Sequence, residues 1–164
     1  MTAEVGPGQG EVSGGDRAAL GDLVHRYAAA VDDGRPEVVA GLFVEQGVLV
    51  VPADPRRVGE TLVHQGREAV AAAVMQATGL HVTYHAIVGA TFTPGRDRDE
   101  VIGRVACTAH HVRAPGEDDA AVDDVWYIVY RDRYVRIADG WRFARRELTL
   151  GFRERRSVKV PREG

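Results

Sequence analysis

The sequence predicts an α+β fold in which helices come first in the chain and an antiparallel meander follows. Three observations carry that expectation. Apolar residues recur with a helical period up to residue 77, and with a period of two from residue 80 onward. The breaks in the second half, PGRDRD, APGEDDA and ADG, are short hairpin signals. Helices that precede a run of strands segregate to one side of a sheet instead of alternating with its strands.

Each element follows in order. Residues 1–15 hold five Gly and one Pro without an apolar period, and read as a disordered leader. From Asp16, the residues Leu20, Leu23, Val24, Tyr27, Ala28 and Val31 fall on one helical face, with Asp16 as the expected N-cap and Gly34 as the stop. A short second helix is expected from Arg35-Pro36 to about Phe43, with proline at its first position. Val48 to Val51 forms a strand closed by Pro52, residues 54–66 read as loop, and residues 67–77 as a third helix. Residues 80–92, 101–113, 122–137 and 141–150 read as four long strands. The tail from Gly151 carries five basic and two acidic residues, and is expected to be disordered or to act as a lid over a pocket.

Composition narrows the function. At 164 residues the chain makes one domain with a sizeable core, here residues 16–150. A net charge of -3 excludes the footprint of a general nucleic-acid binder. No stretch approaches the roughly 20 apolar residues of a membrane span, and the N-terminus lacks a signal-peptide layout. A soluble cytoplasmic protein with no nucleic-acid or membrane partner is the expectation. Cys107 is the one cysteine, so an internal disulfide is excluded. Lys159 is the only lysine among the 21 basic residues, which leaves the folded body without a Schiff-base former.

Strand parity sorts the candidate site residues. In the strand from Val101, the residues Val105, Cys107, Ala109 and His111 share the more apolar face, so His111 points in and His110 out. In the last strand Trp141, Phe143 and Arg145 share a face. An arginine in line with two aromatics either snorkels to the edge or pairs inside a polar pocket. Val105, Cys107, Trp141, Phe143 and Arg145 therefore form the expected substrate-lining set. A histidine is ordinarily a satisfied side chain, and a tyrosine on an apolar helix face, as Tyr27 is, ordinarily belongs to the core. Asp32 is harder to explain as structure, because a carboxylate is disfavoured at the negative end of a helix. The run EDDAAVDD from Glu117 reads as a charged hairpin tip. The six arginines between Arg131 and Arg146 read as surface and interface ion pairing. Metal is not expected: the histidines occur as HVTYH and HH, and two histidines four apart on a strand lie about 13 Å apart.

The strings LVHRYAAAVDDGRPEVVAGLF, TYHAIVG, DEVIGRVACTAHHV and DGWRFARRELT resemble the nuclear transport factor 2-like superfamily in its SnoaL-like branch. That branch holds polyketide cyclases, scytalone dehydratase, bile-acid dehydratases and ketosteroid isomerases. The resemblance implies a cone-shaped barrel, a curved antiparallel sheet wrapped around the N-terminal helices. It implies that Asp32 orients and charge-stabilises His111, and that His111 and His85 flank the substrate, one removing a proton and the other delivering one to a leaving hydroxyl, or sharing a water. It also implies that the Tyr27 phenol polarises a substrate carbonyl, and it matches Arg145 to an arginine near the end of the last strand. Three departures separate this chain from scytalone dehydratase itself. Val31 stands before the helix aspartate, Val50-Val51 replaces a tyrosine on the first strand, and Val129 to Arg131 replaces a polar pair. The implied function is a cofactor-independent dehydratase acting on an apolar hydroxy-carbonyl compound. The alternatives are an isomerase or aldol cyclase with the same base, a non-catalytic small-molecule binding module, and an oxygenase β-subunit. A homodimer or homotrimer built on the sheet face is the implied assembly.

Overall fold

The computed structural model describes residues 10–57, 59–76, 80–113 and 121–161. Helix α1 spans Gly14–Asp32, α2 Pro36–Gly41 and α3 Arg67–Gln76. The strands are β1 Phe43–Pro52, β2 Thr61–Gln65, β3 Val82–Pro94, β4 Glu100–Arg113, β5 Ala121–Ile137 and β6 Gly140–Val158. They form one six-stranded sheet in the order β2-β1-β6-β5-β4-β3. The sheet curves around the helices without closing, so β2 and β3 remain its edges. All neighbours pair antiparallel except β1 and β6, which run parallel.

Ser13, not Asp16, caps α1. Its Oγ accepts the Asp16 N–H at 3.1 Å and donates to Asp16 Oδ2 at 2.8 Å, a reciprocal cap of the kind that contributes about 1 kcal/mol. The helix therefore starts three residues before the expected boundary. Asp16 then anchors the helix to the last hairpin, because its Oδ1 accepts from Trp141 Nε1 at 3.0 Å and from Arg136 at 2.6 Å. Gly34, at φ +62°, stops the helix as expected. The apolar face of α1, with Leu20, Leu23, Val24 and Tyr27 buried, packs against β3 and β6. Each such side chain contributes about 1.5–3 kcal/mol of burial.

Three segments differ from expectation, the first being β1, which begins at Phe43 and not at Val48 because α2 ends at Gly41. The region expected as loop contains β2, which pairs with β1 from Val48↔Gln65 to Pro52↔Thr61. Its proline- and arginine-rich approach hid a five-residue strand. The tail beyond residue 150 is not disordered over residues 151–158: it continues β6 along β5, from Tyr127↔Phe152 to Ala121↔Val158. Charge does not oppose a strand whose side chains face water and whose backbone is paired.

A β-bulge decides what β6 places in the core. Arg133 pairs with Arg145 and Tyr134 with Phe143, so Ala144 is the extra residue. Parity flips there. Phe143 and Arg146 are buried, while the Arg145 side chain is 41% exposed and pairs with Glu147. Arg146 is fully buried and bidentate to Asp132, at 2.9 and 2.8 Å. Tyr134 donates to Asp132 at 2.6 Å. Burial alone would lower the Arg146 pKa, but the facing carboxylate raises it above its ordinary value, so the cation is held charged. Gly103 makes room for this cluster: a Cβ there would stand 2.6 Å from Tyr134 Cε2. Among the described residues, no helix is long and apolar enough to cross a membrane.

Candidate active site

A cavity of about 430 Å³ opens between α1, α3 and the concave side of the sheet. Its wall is mostly apolar, with Val31, Leu49, Val51, Leu62, Val74 and Leu148, and its polar members include Tyr27, His85, His111, Asp124 and Tyr130. A second cleft of about 560 Å³ lies beside the α1 N-terminus, among Asp16, Arg96, Asp97 and Arg136, and holds no histidine.

Asp32 ends α1 with its carboxylate over β3. Oδ1 lies 2.6 Å from His85 Nδ1, and Oδ2 accepts the His85 backbone N–H at 2.8 Å. Both oxygens meet His85, and the Thr83 hydroxyl also hydrogen-bonds the carboxylate. Burial would raise the Asp32 pKa, but the hydrogen bonds and charge of His85 outweigh it and hold the carboxyl below its ordinary value. An ionised carboxylate on Nδ1 fixes the ring and leaves Nε2 as the chemically available nitrogen.

His111 lies beside it, ring centroids 5.9 Å apart and nearly perpendicular. Its Nδ1 is 3.0 Å from the Asp124 carbonyl, which can only accept, so Nδ1 carries the proton and Nε2 the lone pair. Burial depresses the His111 pKa, which favours the neutral ring. Trp126 packs on the imidazole at 4.5 Å between centroids. Among the described residues neither His85 Nε2 nor His111 Nε2 has a hydrogen-bond partner.

The cavity brings together Asp32's partner His85, His111 and Tyr27, but the pairing differs from expectation: Asp32 holds His85, not His111. The reason is register. His111 sits opposite Thr83 and Asp124, one strand step beyond the level of the α1 C-terminus, whereas His85 faces Asp32 directly. The expected lining set is not in the wall. Val105, Cys107 and Phe143 are core residues at the narrow end of the cone, and Trp141 is bound to Asp16. Arg145 points outward because of the Ala144 bulge. Burial pushes the Cys107 thiol up to about 12.

Sequence reasoning missed four residues of the region. Asp123 and Asp124 are not a hairpin tip but buried residues of β5, at 3% and 8% exposure. Trp126 and Tyr130 line the cavity from the same strand. The period-two alternation of Asp124, Trp126, Ile128 and Tyr130 could have found them. Arg146, beneath the floor, stacks on Tyr27, Tyr130 and Phe143 with Cζ 4.1–4.4 Å from each ring centre. It is the exception to the surface reading of the arginines. No group of three His, Cys, Asp or Glu among the described residues could hold a metal ion.

A histidine backed by an aspartate borders a cavity enclosed by helices and one curved, unclosed sheet, and this defines the structural class, an α+β half-open cone. The chain belongs to the SnoaL-like domain family, whose profile matches residues 15–147. Among solved structures it is similar to a candidate scytalone dehydratase of Novosphingobium aromaticivorans DSM 12444, at 23% identity over 88% of this chain and 89% of that one, with a TM-score of 0.69. It is similar to a type 2 hexachlorocyclohexane dehydrochlorinase, LinA, at 18% identity over 92% and 95% of the two chains and a TM-score of 0.71. The Kfla4162 protein of Kribbella flavida shares 23% identity over 85% and 93%, with a TM-score of 0.70. These likenesses establish the fold. No functionally curated protein matches the chain.

Proposed function

We propose that this protein is a cofactor-independent lyase, a dehydratase that removes water from an apolar hydroxy-carbonyl compound. The observation that carries the reading is His85, which borders an apolar-walled cavity shared with His111 and is held from behind by Asp32 at 2.6 Å. His85 Nε2 takes the proton from the carbon next to the carbonyl, and Asp32 stabilises the imidazolium that forms. The electron pair of the broken C–H bond enters the carbonyl system as an enolate, whose oxygen receives a hydrogen bond from the Tyr27 hydroxyl. The enolate then expels the β-hydroxyl, which leaves as water with the proton that His85 returns. One C–H and one C–O bond break, a C=C bond and water form, and the enzyme ends as it began. His111, neutral and with its Nε2 lone pair free, accepts a hydrogen bond from the substrate hydroxyl and orients it. A ring held neutral by burial is a poor proton donor, so of the two roles expected for the histidines the proton-delivering one falls to His85 and not to His111.

Two structural neighbours support the reading by name, since a dehydrochlorinase and a dehydratase both perform eliminations. The test is a panel of β-hydroxy ketones and β-hydroxyacyl thioesters, followed by the ultraviolet absorbance of the conjugated product. Turnover that falls in His85→Gln is the expected result. Exchange of the α-hydrogen in D2O without water loss would make the protein an isomerase or cyclase with the same base. Binding with neither exchange nor elimination would leave the binding-module reading. A homodimer or homotrimer, built on the outer sheet face where Tyr84, Val88 and Phe152 are 60–70% exposed, completes the proposal and is checked by sedimentation.

A further inference from the structure

Toward its outer end the apolar cavity takes on charge. Among the described residues Arg113 is the one arginine in the wall, and it ends β4 two residues beyond His111. With a period of two both side chains lie on the concave face, about 7 Å apart along the strand. Arg113 is exposed, and among the described residues it has no hydrogen bond or ion pair.

Cross-strand pairing brings two more guanidinium groups to this level from β6. Arg153 is level with Trp126 and Arg155 with Asp124, and residues opposite one another on a ladder share a face, here the concave one. A groove that carries Arg153 continues from the cavity and shares Pro52, Pro55 and Leu148 with it. Arg153 Nη1 donates to Asp124 Oδ2 at 3.4 Å, a single long contact, whereas Arg146 holds Asp132 with two bonds at 2.9 and 2.8 Å. Most of the five N–H donors of Arg153 are therefore uncommitted among the described residues.

The carboxylates at this end do not balance Arg113, Arg153 and Arg155. Asp124 is buried and is the one carboxylate in the cavity wall among the described residues. Asp32 is bound to His85 and Asp33 to Arg35, while Glu154 lies on the opposite face against Tyr127. In the adjoining groove Glu147 is bound to Arg145, and Glu60 shares the space with Arg56 and Arg57. An anion at the end of the cavity thus meets forked cations, and charge-assisted bonds to such groups are shorter and stronger than neutral ones.

We propose that Arg113 and Arg153 form an anion subsite at the outer end of the cavity, with Arg155 adding to its positive field, and that it takes a carboxylate or phosphate at the far end of an apolar substrate. The ligand class is therefore an amphipathic anion, not a neutral apolar compound. Its charged tail is held at the rim, its apolar body fills the cavity, and its hydroxy-carbonyl head points toward His85 and His111. Arg113 and Arg153 are in this account specificity-determining residues that fix which end enters first. The fate of the head rests on the proposed elimination, but the subsite itself can be read by binding alone.

The experiment titrates the protein with 2-naphthylacetate and with 2-naphthylacetamide, which has the same shape and no charge. The wild type is expected to prefer the acid about tenfold at low salt, and added salt should shrink the preference. Arg113→Gln and Arg153→Gln should each cut the preference and leave amide binding unchanged. Arg113→Gln removes a side chain with no partner among the described residues, so it carries the test even if Arg153→Gln, which strips Asp124, fails to fold. A third probe, 2-naphthyl phosphate, separates the two sources of charge: tighter binding than the acid assigns a phosphate-bearing carrier, and weaker binding assigns a free carboxylic acid. Equal binding of acid and amide overturns the proposal, as does a full preference kept in Arg113→Gln or no binding of either anion at millimolar concentration. His85→Gln separates this from the elimination. If it abolishes turnover and keeps the acid preference, both readings hold. If no hydroxy-carbonyl compound is turned over yet the preference persists, the elimination falls and the subsite stands.

Discussion

The sheet carries a histidine–aspartate pair on each of its faces, and the two pairs are built differently. On the concave face Asp32 gives both carboxylate oxygens to His85, at 2.6 and 2.8 Å. On the outer face His110 Nδ1 lies 2.8 Å from Asp123 Oδ2, an ordinary hydrogen-bond length. That same oxygen is shared with Arg156 at 3.3 Å, while Oδ1 is enclosed without a partner. The free edge of His85 borders a cavity, and that of His110 borders no cavity wall among the described residues. Similar distances thus accompany different surroundings: a charged arginine shares the Asp123 carboxylate, and the free nitrogen of His85 borders a cavity.

The largest expected effect tests that contrast directly. Asp32→Asn should lower elimination by on the order of 10²–10⁴-fold, the range of a lost acid–base contribution, while Asp123→Asn leaves the rate within twofold. Rates of the two variants on the same substrate decide it, and equal losses would erase the distinction. Next comes a third carboxylate, buried but not catalytic. Asp132→Asn strands the Arg146 charge in the core and should cost about 3–5 kcal/mol, seen as a fall of roughly 10 °C in melting temperature.

A smaller effect separates the adjacent histidines 110 and 111. The His111 ring signal should titrate below 6.5, its ordinary value, because burial opposes the charged form. Its folded pKa is depressed, so its share of stability is complete above about 6.5 and is lost as pH falls through the folded value. Ring NMR together with denaturation at several pH values reads both. A His111 signal at or above 6.5 would contradict the buried neutral ring. The smallest effect concerns the inward row of β4. With its thiol pushed up to about 12, Cys107 should resist iodoacetamide at pH 8 until the protein is unfolded.

Much of this architecture was legible because hydrophobic period is a local signal. The switch from 3.6 to 2 near residue 80 located every long strand, and β4 parity put His111 inside and His110 outside. The errors lie where a non-local event intervenes. A strand such as β6 beyond Gly151 declares itself only through the partner it pairs with, and its arginines and glutamates gave no apolar alternation to read. Arg145 and Arg146 exchanged places because one extra residue at Ala144 inverts parity, and a bulge leaves no mark in composition. Asp32 was matched to the wrong histidine because helix end and strand register meet only in three dimensions. Acidic residues at 123 and 124 read as surface, since the arginines that cover them come from a tail expected to be unstructured.

The bulge at Ala144 bears on how β6 finds its alignment during folding. Two arginines follow it in tandem, so a slip by one residue would still offer a guanidinium to Asp132. Electrostatics alone therefore discriminates poorly between the native alignment and its nearest competitor. Leu148 and Leu150, packed against the core from the native side, would turn to water in the slipped form, and Glu147 and Thr149 would turn inward. Proofreading of the alignment is thus delegated to two leucines several residues downstream of the charge they protect.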